Sequence, residues 1–280
     1  MFARLKQRVI TAVALLLVSL PALLHPSPVA LGVLGMALVS AASWEWGRLN
    51  GLSFATAFAM PAVCILLFLT YWSRHQYLLV SQLYWLICMA IWFFTILIFL
   101  NKGSSAWQAT PQLFRLCLGV FLLFSTGLAL LQAKLVGTLF LISVLCMVWT
   151  ADIAAYFVGR RWGKRKLAPS ISPGKSVEGL AGAVVAVWLL AALWIAVSVH
   201  FYPTSGDIFN KLFDLGLPYL LFGLLVLTLT SAAGDLFESL IKRAAGAKDS
   251  SQLLPGHGGV LDRLDALLPV LPLAVLMSTF

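Results

Sequence analysis

The chain has 280 residues, of which 61% are hydrophobic and 10% are charged. Soluble domains average about 45–50% apolar and about 25% charged residues, so this composition excludes a soluble globular protein, a disordered chain and a secreted disulfide scaffold. The net charge of +9 comes from 19 Lys and Arg against 10 Asp and Glu. The four cysteines stand alone in apolar stretches and lack the paired spacing of a disulfide framework or a zinc site.

Apolar runs bounded by charges, Pro or Gly predict about nine transmembrane helices, since a helix needs about 20 residues to cross a bilayer. The runs, in chain order, are 9–24, 29–43, 54–72, 81–100, 113–132, 135–158, 177–200, 216–238 and 264–279. Several are short, so eight is the alternative count. The first run follows basic residues like a signal peptide, but no small-residue cleavage site comes after it, and we interpret it as a retained helix. We therefore expect an all-α integral membrane protein, with residues 1–280 forming a single polytopic helical bundle.

The distribution of Lys and Arg predicts the orientation of these spans, because cytoplasmic loops carry an excess of both residues. With a cytoplasmic N-terminus, 16 of the 19 fall on the cytoplasmic side and only Arg74, Lys134 and Lys211 on the other. The two longest cytoplasmic loops are then 159–176 and 239–263. We expect the basic run 160–166 to attract anionic lipid. Short loops and the lack of a transit segment favour a bacterial inner membrane.

Half of the ten acidic residues lie between 235 and 265. A carboxylate inside a span is costly and usually faces a partner, a cavity or an ion. Asp152 and Tyr156 are four residues apart, so they share a helix face and either bind a nucleotide or join helices. Glu45 stands between two tryptophans and is interpreted as an interfacial anchor.

Near the end of the eighth run, one helical stripe carries polar side chains at intervals of 4, 3 and 4. Its members are Ser231, Asp235, Glu238 and Lys242. The opposite side is predicted to face lipid and contains Leu236, Phe237 and Leu240. Glu238 is interpreted as the salt-bridge partner of Lys242, with a ligand role as the alternative.

The segment 239–265 combines cations, glycines and acids at a membrane surface. Lys and Arg donate to phosphate oxygens, and glycines let backbone N–H groups approach phosphates closely. Carboxylates hold Mg²⁺ together with substrate phosphates. The cations are Lys242, Arg243, Lys248 and Arg263, the glycines are Gly256, Gly258 and Gly259, and the candidate metal ligands are Asp235, Asp262 and Asp265. This combination predicts metal-assisted phosphoryl or nucleotidyl transfer.

A second polar segment, 172–179, contains the tripeptide Gly174-Lys175-Ser176. A phosphate-binding P-loop would need a glycine at position 169, where Pro169 stands, and no strand is predicted before it. The P-loop is therefore rejected. We expect only that Lys175 and Ser176 contact phosphate at a helix start.

The segment 239–265 resembles the signature of the phosphatidate cytidylyltransferases, or CDP-diacylglycerol synthases. The fixed positions of that signature are filled by Ser239, Lys242, Arg243, Lys248, Asp249, Pro255, His257, Gly258, Gly259, Asp262, Arg263 and Asp265. The segments 151–156, 172–179 and 44–46 are also similar to the family, although Ser176 stands where the family more often has Thr. The strong resemblance covers 149–268, so this region is predicted to be catalytic and residues 1–112 to be mainly structural.

The resemblance implies an integral membrane enzyme that converts CTP and phosphatidic acid into CDP-diacylglycerol and pyrophosphate. It also implies dependence on Mg²⁺, either alone or together with a second cation, a site facing the cytoplasm, and a homodimer embedded among membrane lipids. We expect the lipid phosphate to attack the α-phosphorus of CTP in line, while cations offset the repulsion between two anions.

Each candidate residue has an expected role in this reaction. Catalytic roles are assigned to Asp235, Asp262, Lys242 and Arg263. Asp235 and Asp262 are the first candidates for metal ligands, and Asp265 and Asp249 come next, as alternative ligands or as supports of the ligands. Substrate contacts are assigned to Lys175, Ser176, Arg243, Lys248, Asp249, His257, Gly258, Gly259 and Asp152. For His257, fixing the turn between its glycines carries equal weight.

Two other functions compete with this one. A CTP-using enzyme acting on another membrane alcohol, such as a polyprenol kinase, would transfer the γ-phosphoryl group and release CDP. A transporter would spread its acids over several spans in two related halves, whereas here half of the acids lie in one region and no repeat is visible. Nucleic acid is not an expected partner, because the cations follow membrane topology.

Overall fold

A computed structural model describes residues 2–75, 80–201 and 206–280 of the chain. The helices are α1 (Phe2–Leu24), α2 (Pro28–Leu49), α3 (Ala59–His75), α4 (Gln82–Ala109), α5 (Gln112–Val136), α6 (Thr138–Trp162), α7 (Val177–Phe201), α8 (Ile208–Asp214), α9 (Leu217–Ala244), α10 (Leu261–Leu264) and α11 (Leu267–Met277). A 3-10 turn, Thr56–Phe58, precedes α3. Two short strands, β1 (Lys166–Ala168) and β2 (Ser172–Ser176), form an antiparallel hairpin. The predicted all-α polytopic architecture is confirmed.

Seven helices within the described ranges are long and apolar enough to cross a membrane, namely α2 to α7 and α9, with α3 extended by its 3-10 turn. The two remaining predicted spans are shorter. The apolar part of α1 is Val9–Leu24, and α11 has 11 residues, or about 17 Å at the α-helical rise against a hydrocarbon core of about 30 Å. The side chains of Arg4, Lys6, Arg8 and Arg74, which enter the predicted orientation, lie outside those described.

Helix starts follow from local capping chemistry. Ser27 caps α2 by accepting a hydrogen bond from the Val29 N–H, and Pro28 occupies the first turn, where its missing N–H costs nothing. Ser81 caps α4 in the same way. These caps let long apolar runs begin cleanly after short polar connections.

An aromatic cluster holds α2, α4 and α9 together behind the site. Phe237 of α9 lies at its centre, with ring centroids 5.4 Å from Trp107, 5.8 Å from Trp92 and 6.3 Å from Trp46. Edge-to-face arrangements of this kind add stabilisation beyond area burial. The prediction that this side of α9 faces lipid is therefore wrong, because a second layer of helices packs against it. Leu236, Phe237 and Leu240 are 8%, 1% and 0% exposed.

The short helix α11 lies inside the bundle, against α4, α5 and α9. The Thr126 hydroxyl of α5 donates to the Leu268 carbonyl at 3.0 Å. On the α9 side, Gly234 allows close approach, since a Cβ there would lie 2.7 Å from the Asp265 carbonyl oxygen and 2.8 Å from Pro269 Cδ. Because Gly234 has no side chain, the backbone of α9 next to Asp235 packs directly against the backbone of Asp265.

The loop 159–176 contains the β-hairpin, which the sequence did not predict. A strand does precede α7, contrary to expectation, but Lys175 lies inside that strand and no glycine-rich loop follows it, so a P-loop is absent from this described segment. Ser176 caps α7 by accepting from the Gly179 N–H at 3.1 Å. The Arg243 Nε of α9 donates to the Ile171 carbonyl at 3.2 Å, which ties the hairpin to the end of α9.

Candidate active site

A cavity of about 690 Å³ lies between α6, the hairpin, α7, α9 and residues 262–265. Four acids line it, Asp152, Asp235, Asp262 and Asp265, together with four cations, Arg160, Lys166, Lys175 and Arg263. Small side chains form much of the remaining wall: Ala151, Ala155, Ala183, Ser231 and Ala232. Four of the ten acidic residues of the chain therefore meet at one cavity.

Lys175 joins the hairpin to α9 across this cavity. Its Nζ lies 2.5 Å from Asp235 Oδ2 and 3.4 Å from the Ala232 carbonyl oxygen. The two charged side chains remain 24% and 30% exposed, so both stay accessible from the cavity. The ammonium group of Lys175 therefore forms an ion pair with Asp235, which is a predicted metal ligand.

Asp262 has hydrogen-bond partners on both carboxylate oxygens. Oδ1 accepts from Lys242 Nζ at 2.6 Å. Oδ2 accepts from the Ser250 N–H at 2.9 Å, the Ser250 hydroxyl at 2.9 Å and the Gly259 N–H at 2.7 Å. Partial burial acts to raise the pKa of Asp262, but the bonds from Lys242, Gly259 and Ser250 outweigh it and hold that pKa below its ordinary value.

Lys242 lies between two carboxylates rather than on the cavity wall. Its Nζ is 2.5 Å from Glu238 Oε2 and 2.6 Å from Asp262 Oδ1, and the residue is 9% exposed. The interpretation of Glu238 as its salt-bridge partner is confirmed. The contact of Lys242 with substrate stays a prediction, while its ion pairs fix Asp262 against the end of α9.

Asp265 lies between α10 and α11, and its Oδ1 accepts from the Ala266 N–H at 2.8 Å. Burial, and next the neighbouring charge of Asp235, raise the pKa of Asp265 above its ordinary value. A cation bound to both Asp265 and Asp235 would offset the repulsion between these two carboxyl groups.

The face of α6 that lines the cavity extends one turn beyond the predicted pair. Arg160 follows Asp152 and Tyr156 at the same spacing of four, and its Nη1 donates to the Tyr156 hydroxyl at 3.0 Å. The sequence analysis did not assign Arg160 to the site. The same spacing of four residues could have indicated that Arg160 lies on the helix face of Asp152 and Tyr156. Lys166, predicted only to attract lipid, also lines the cavity.

Several predicted substrate contacts lie away from the cavity wall. Arg243, Lys248 and Asp249 are exposed, and Arg243 donates to the carbonyls of Ile171 and Ala247. His257, Gly258 and Gly259 form a turn whose His257 carbonyl accepts from the Arg263 guanidinium. Gly258 has a φ of 86°, a conformation that favours glycine. Their contacts with substrate stay predictions.

Glu45 is not an interfacial anchor, and that interpretation is wrong. Its side chain is 0% exposed and accepts four hydrogen bonds from residues 250–261, at the opposite end of the chain. Of its two flanking tryptophans, Trp46 is fully buried between helices, whereas Trp44 is half-buried and packs against the exposed rings of Phe54 and Phe58. Local sequence could have indicated a partner, since a carboxylate in an apolar run is costly without one.

The donor set suits a cation shared with substrate phosphates rather than a cage built by protein alone. Among the described residues, no group of three or more His, Cys, Asp or Glu side chains could hold a metal ion by itself. Mg²⁺ is usually held by one or two carboxylates plus phosphates and water. Asp235, Asp262 and Asp265 on one cavity wall match that requirement.

Comparison with known proteins shows the family to which the chain belongs. The model of the cytidylyltransferase family matches residues 6–280. The chain belongs to the cytidylyltransferase family. It is 37% identical over 272 residues to the phosphatidate cytidylyltransferase of Pseudomonas aeruginosa, covering 96% of this chain and 94% of that protein. Identity to the phosphatidate cytidylyltransferase of Haemophilus influenzae is 33% over 290 residues, covering 96% of each.

A third relative matches only part of the chain. The phosphatidate cytidylyltransferase of Bacillus subtilis is 41% identical over 138 residues, which is 49% of this chain and 46% of that protein. The family resemblance drawn from the signature of 239–265 is thus confirmed over nearly the full length by the first two relatives.

Proposed function

We propose that this cytidylyltransferase-family protein converts CTP and phosphatidic acid into CDP-diacylglycerol and pyrophosphate. The observation that carries the proposal is the cavity in which four acids and four cations meet among apolar helices. Such a site suits two substrates that are both anionic, one of which is a membrane lipid. The names of the relatives support the same activity.

In the proposed reaction, a phosphate oxygen of phosphatidic acid attacks the α-phosphorus of CTP. A new P–O bond forms, the bond from the α-phosphorus to the bridging oxygen of the β-phosphate breaks, and pyrophosphate leaves. The lipid phosphate is already an anion, so a general base contributes little. The barrier arises mainly from charge repulsion, which fixed cations lower when they face the transferring phosphate.

The cations of the wall have separate proposed tasks. Lys175 of the hairpin and Arg263 of α10, which both line the cavity, neutralise the triphosphate. Arg160 and Lys166, at the basic end of α6 and in β1, attract the lipid phosphate. Asp152 orients the nucleotide from the face of α6.

We propose Asp235, Asp262 and Asp265 as the residues that hold Mg²⁺, either alone or together with a second cation. A bound Mg²⁺ supplies charge neutralisation at the phosphates. Lys175 and Lys242 balance Asp235 and Asp262 within the protein. We keep Ser176, Arg243, Lys248, Asp249, His257, Gly258 and Gly259 as proposed substrate contacts because of their places in the family motifs.

The proposed location is a bacterial inner membrane, with the N-terminus and the cavity facing the cytoplasm. This proposal is supported by the alternation of the long helices, which puts the ends of α2, α4, α6 and α9 on the same side as the hairpin. The Gln108 amide of α4 donates to the Ala244 carbonyl of α9 at 2.5 Å, consistent with that shared level. We also propose a homodimer surrounded by membrane lipids.

The test uses the purified full chain in detergent with Mg²⁺, CTP and phosphatidic acid. We expect equal amounts of pyrophosphate and CDP-diacylglycerol, and loss of both products when EDTA removes the metal. Release of CDP without pyrophosphate would instead indicate a kinase. Absence of every product from well-folded protein would overturn the proposal.

A further inference from the structure

Glu45 of α2 is a buried carboxylate outside the cavity, and the mechanism proposed above gives it no task. It is 0% exposed, and no Lys, Arg or His among the described residues lies within 4.0 Å of its carboxylate, since none of the ion pairs involves it. Burying a charge without a partner is strongly unfavourable. Its neighbours must therefore account for its presence.

Those neighbours are four hydrogen-bond donors, two for each carboxylate oxygen. Oε1 accepts from the Ser251 hydroxyl at 2.5 Å and the Val260 N–H at 3.0 Å. Oε2 accepts from the Ser250 hydroxyl at 3.1 Å and the Leu261 N–H at 2.6 Å. One side chain of α2 thus gathers both ends of the segment 250–261, which carries the turn of His257.

Ser250 links this carboxylate to Asp262. Its hydroxyl lies 3.1 Å from Glu45 Oε2 and 2.9 Å from Asp262 Oδ2, and its N–H also donates to Asp262. A hydroxyl carries a single hydrogen, so Glu45 and Asp262 share this one donor. A displacement of Ser250 would therefore change two of the hydrogen bonds that hold the carboxylate of Asp262 in place.

Gly259 completes the packing around Glu45. A Cβ at this position would lie 1.9 Å from the Ser250 hydroxyl oxygen and 2.5 Å from Glu45 Oε1, so no larger residue fits. The Gly259 N–H also donates to Asp262 Oδ2 at 2.7 Å. Glu45 and Ser250 occupy the space where a side chain at position 259 would lie. This packing explains why the position is glycine without any contact to phosphate.

We propose that Glu45 is a positioning residue of the active site, which fixes the segment 250–261 and, through Ser250 and Gly259, the carboxylate of Asp262. Glu45 lies outside the cavity and contacts no substrate. An N-terminal helix thereby determines the geometry of the catalytic region. The expected effect of Glu45 on turnover rests on the proposed function. Its expected effect on the structure of the segment 250–261 does not.

The first test compares Glu45→Gln with the wild type. The amide keeps the size of the side chain but turns an NH₂ group toward two donors, and leaving buried donors unsatisfied costs enough to change a rate about 5- to 150-fold. We expect kcat to fall within that range while the KM for CTP changes little. Amide hydrogen exchange should quicken in 250–262 and stay at wild-type rates in α5.

Asn50→Ala is the matched control, since Asn50 is another buried polar residue of α2, 1% exposed. Its side chain bonds Trp46 and Trp107, away from the segment 250–261. We expect this variant to unfold at a lower temperature but to keep wild-type kcat and wild-type exchange in 250–262. That contrast separates positioning from general stabilisation.

Ser250→Ala keeps the proposal falsifiable if Glu45→Gln fails to fold, because it removes only the linking hydroxyl. We expect it to lower kcat and to quicken exchange at 259–262, and the double variant to lose less than the product of the two single losses. Wild-type exchange in 250–262 in either folded single variant would overturn the proposal, as would quickened exchange with unchanged kcat. If the wild type itself makes no CDP-diacylglycerol, the proposed function fails, and the exchange data alone decide whether Glu45 fixes the segment.

Discussion

Replacement of Gly234 with alanine is expected to slow turnover by moving Asp235 and Asp265 apart. The added Cβ would lie 2.7 Å from the Asp265 carbonyl oxygen and 2.8 Å from Pro269 Cδ and Cγ. Comfortable contacts between non-bonded heavy atoms are about 3.5–4.0 Å, so α9 and the segment 265–269 must separate by about 0.7–1.3 Å. A misplacement of about 1 Å costs on the order of 100-fold in rate. We therefore expect kcat to fall about 10- to 100-fold.

The assay is the initial rate of CDP-diacylglycerol formation at saturating CTP, with thermal unfolding in detergent followed by tryptophan fluorescence. Overpacking should also lower stability by about 1–3 kcal/mol. Gly223→Ala, in the same helix, is the control, because its Cβ would meet only the flexible end of Leu212 at 3.0 Å; we expect its kcat to stay within about twofold of wild type. The reasoning is refuted if Gly234→Ala keeps wild-type kcat, or if both glycine variants lose turnover equally.

Three further variants test individual side chains of the cavity. Asp262→Asn should abolish turnover while the protein remains inserted and monodisperse on gel filtration, and measurable kcat near the wild-type value would contradict its role as metal ligand. Lys175→Met removes the 2.5 Å contact with Asp235 and should raise the KM for CTP about tenfold, the size of a lost charged hydrogen bond; an unchanged KM would remove Lys175 from the triphosphate site. Arg160→Gln should raise the KM for phosphatidic acid about tenfold, whereas Arg161→Gln, whose guanidinium lies 5.7 Å over the Trp162 ring, should leave it unchanged; equal effects would point to general surface charge.

Hydropathy predicted most of the helices because the bilayer imposes runs of about 20 apolar residues. It could not separate apolar surface that faces lipid from apolar surface that faces protein. Phe237 was therefore placed on the wrong side, although it is the centre of an aromatic cluster. The run 264–279 was read as a span for the same reason, since α11 has the composition of one but is enclosed by other helices.

Helical periodicity located the charged part of the cavity wall. Periodicity placed Asp235 on the polar stripe of α9, and its grouping with Asp262 and Asp265 as metal ligands came from the concentration of acids and cations in this region; all three line one cavity. The β-hairpin escaped prediction because 166–176 lacks the alternating apolar pattern of a strand. Lys175 was found from its neighbours in sequence, but its place beside Asp235 depends on that hairpin.

Contacts between distant parts of the chain left no local pattern to read. Glu45 and Ser250 are separated by 205 positions, and no spacing rule connects them. The division into structural N-terminal helices and a catalytic region after residue 149 stays a prediction, although Glu45 reaches across it. The only indication in the sequence was the carboxylate of Glu45 inside an apolar run. Its two neighbouring tryptophans favoured the interpretation that it lies at the lipid boundary.

The enclosure of α11 has a consequence for the order in which the enzyme matures. This helix comes after α4, α5 and α9 in the chain, yet it occupies the space between them. It can dock only once its surroundings have been inserted into the bilayer, and Asp262 and Asp265 immediately precede it. Completion of the core and assembly of the acidic wall are therefore one late event, so under the proposed mechanism a partly inserted chain would lack the residues that start the reaction.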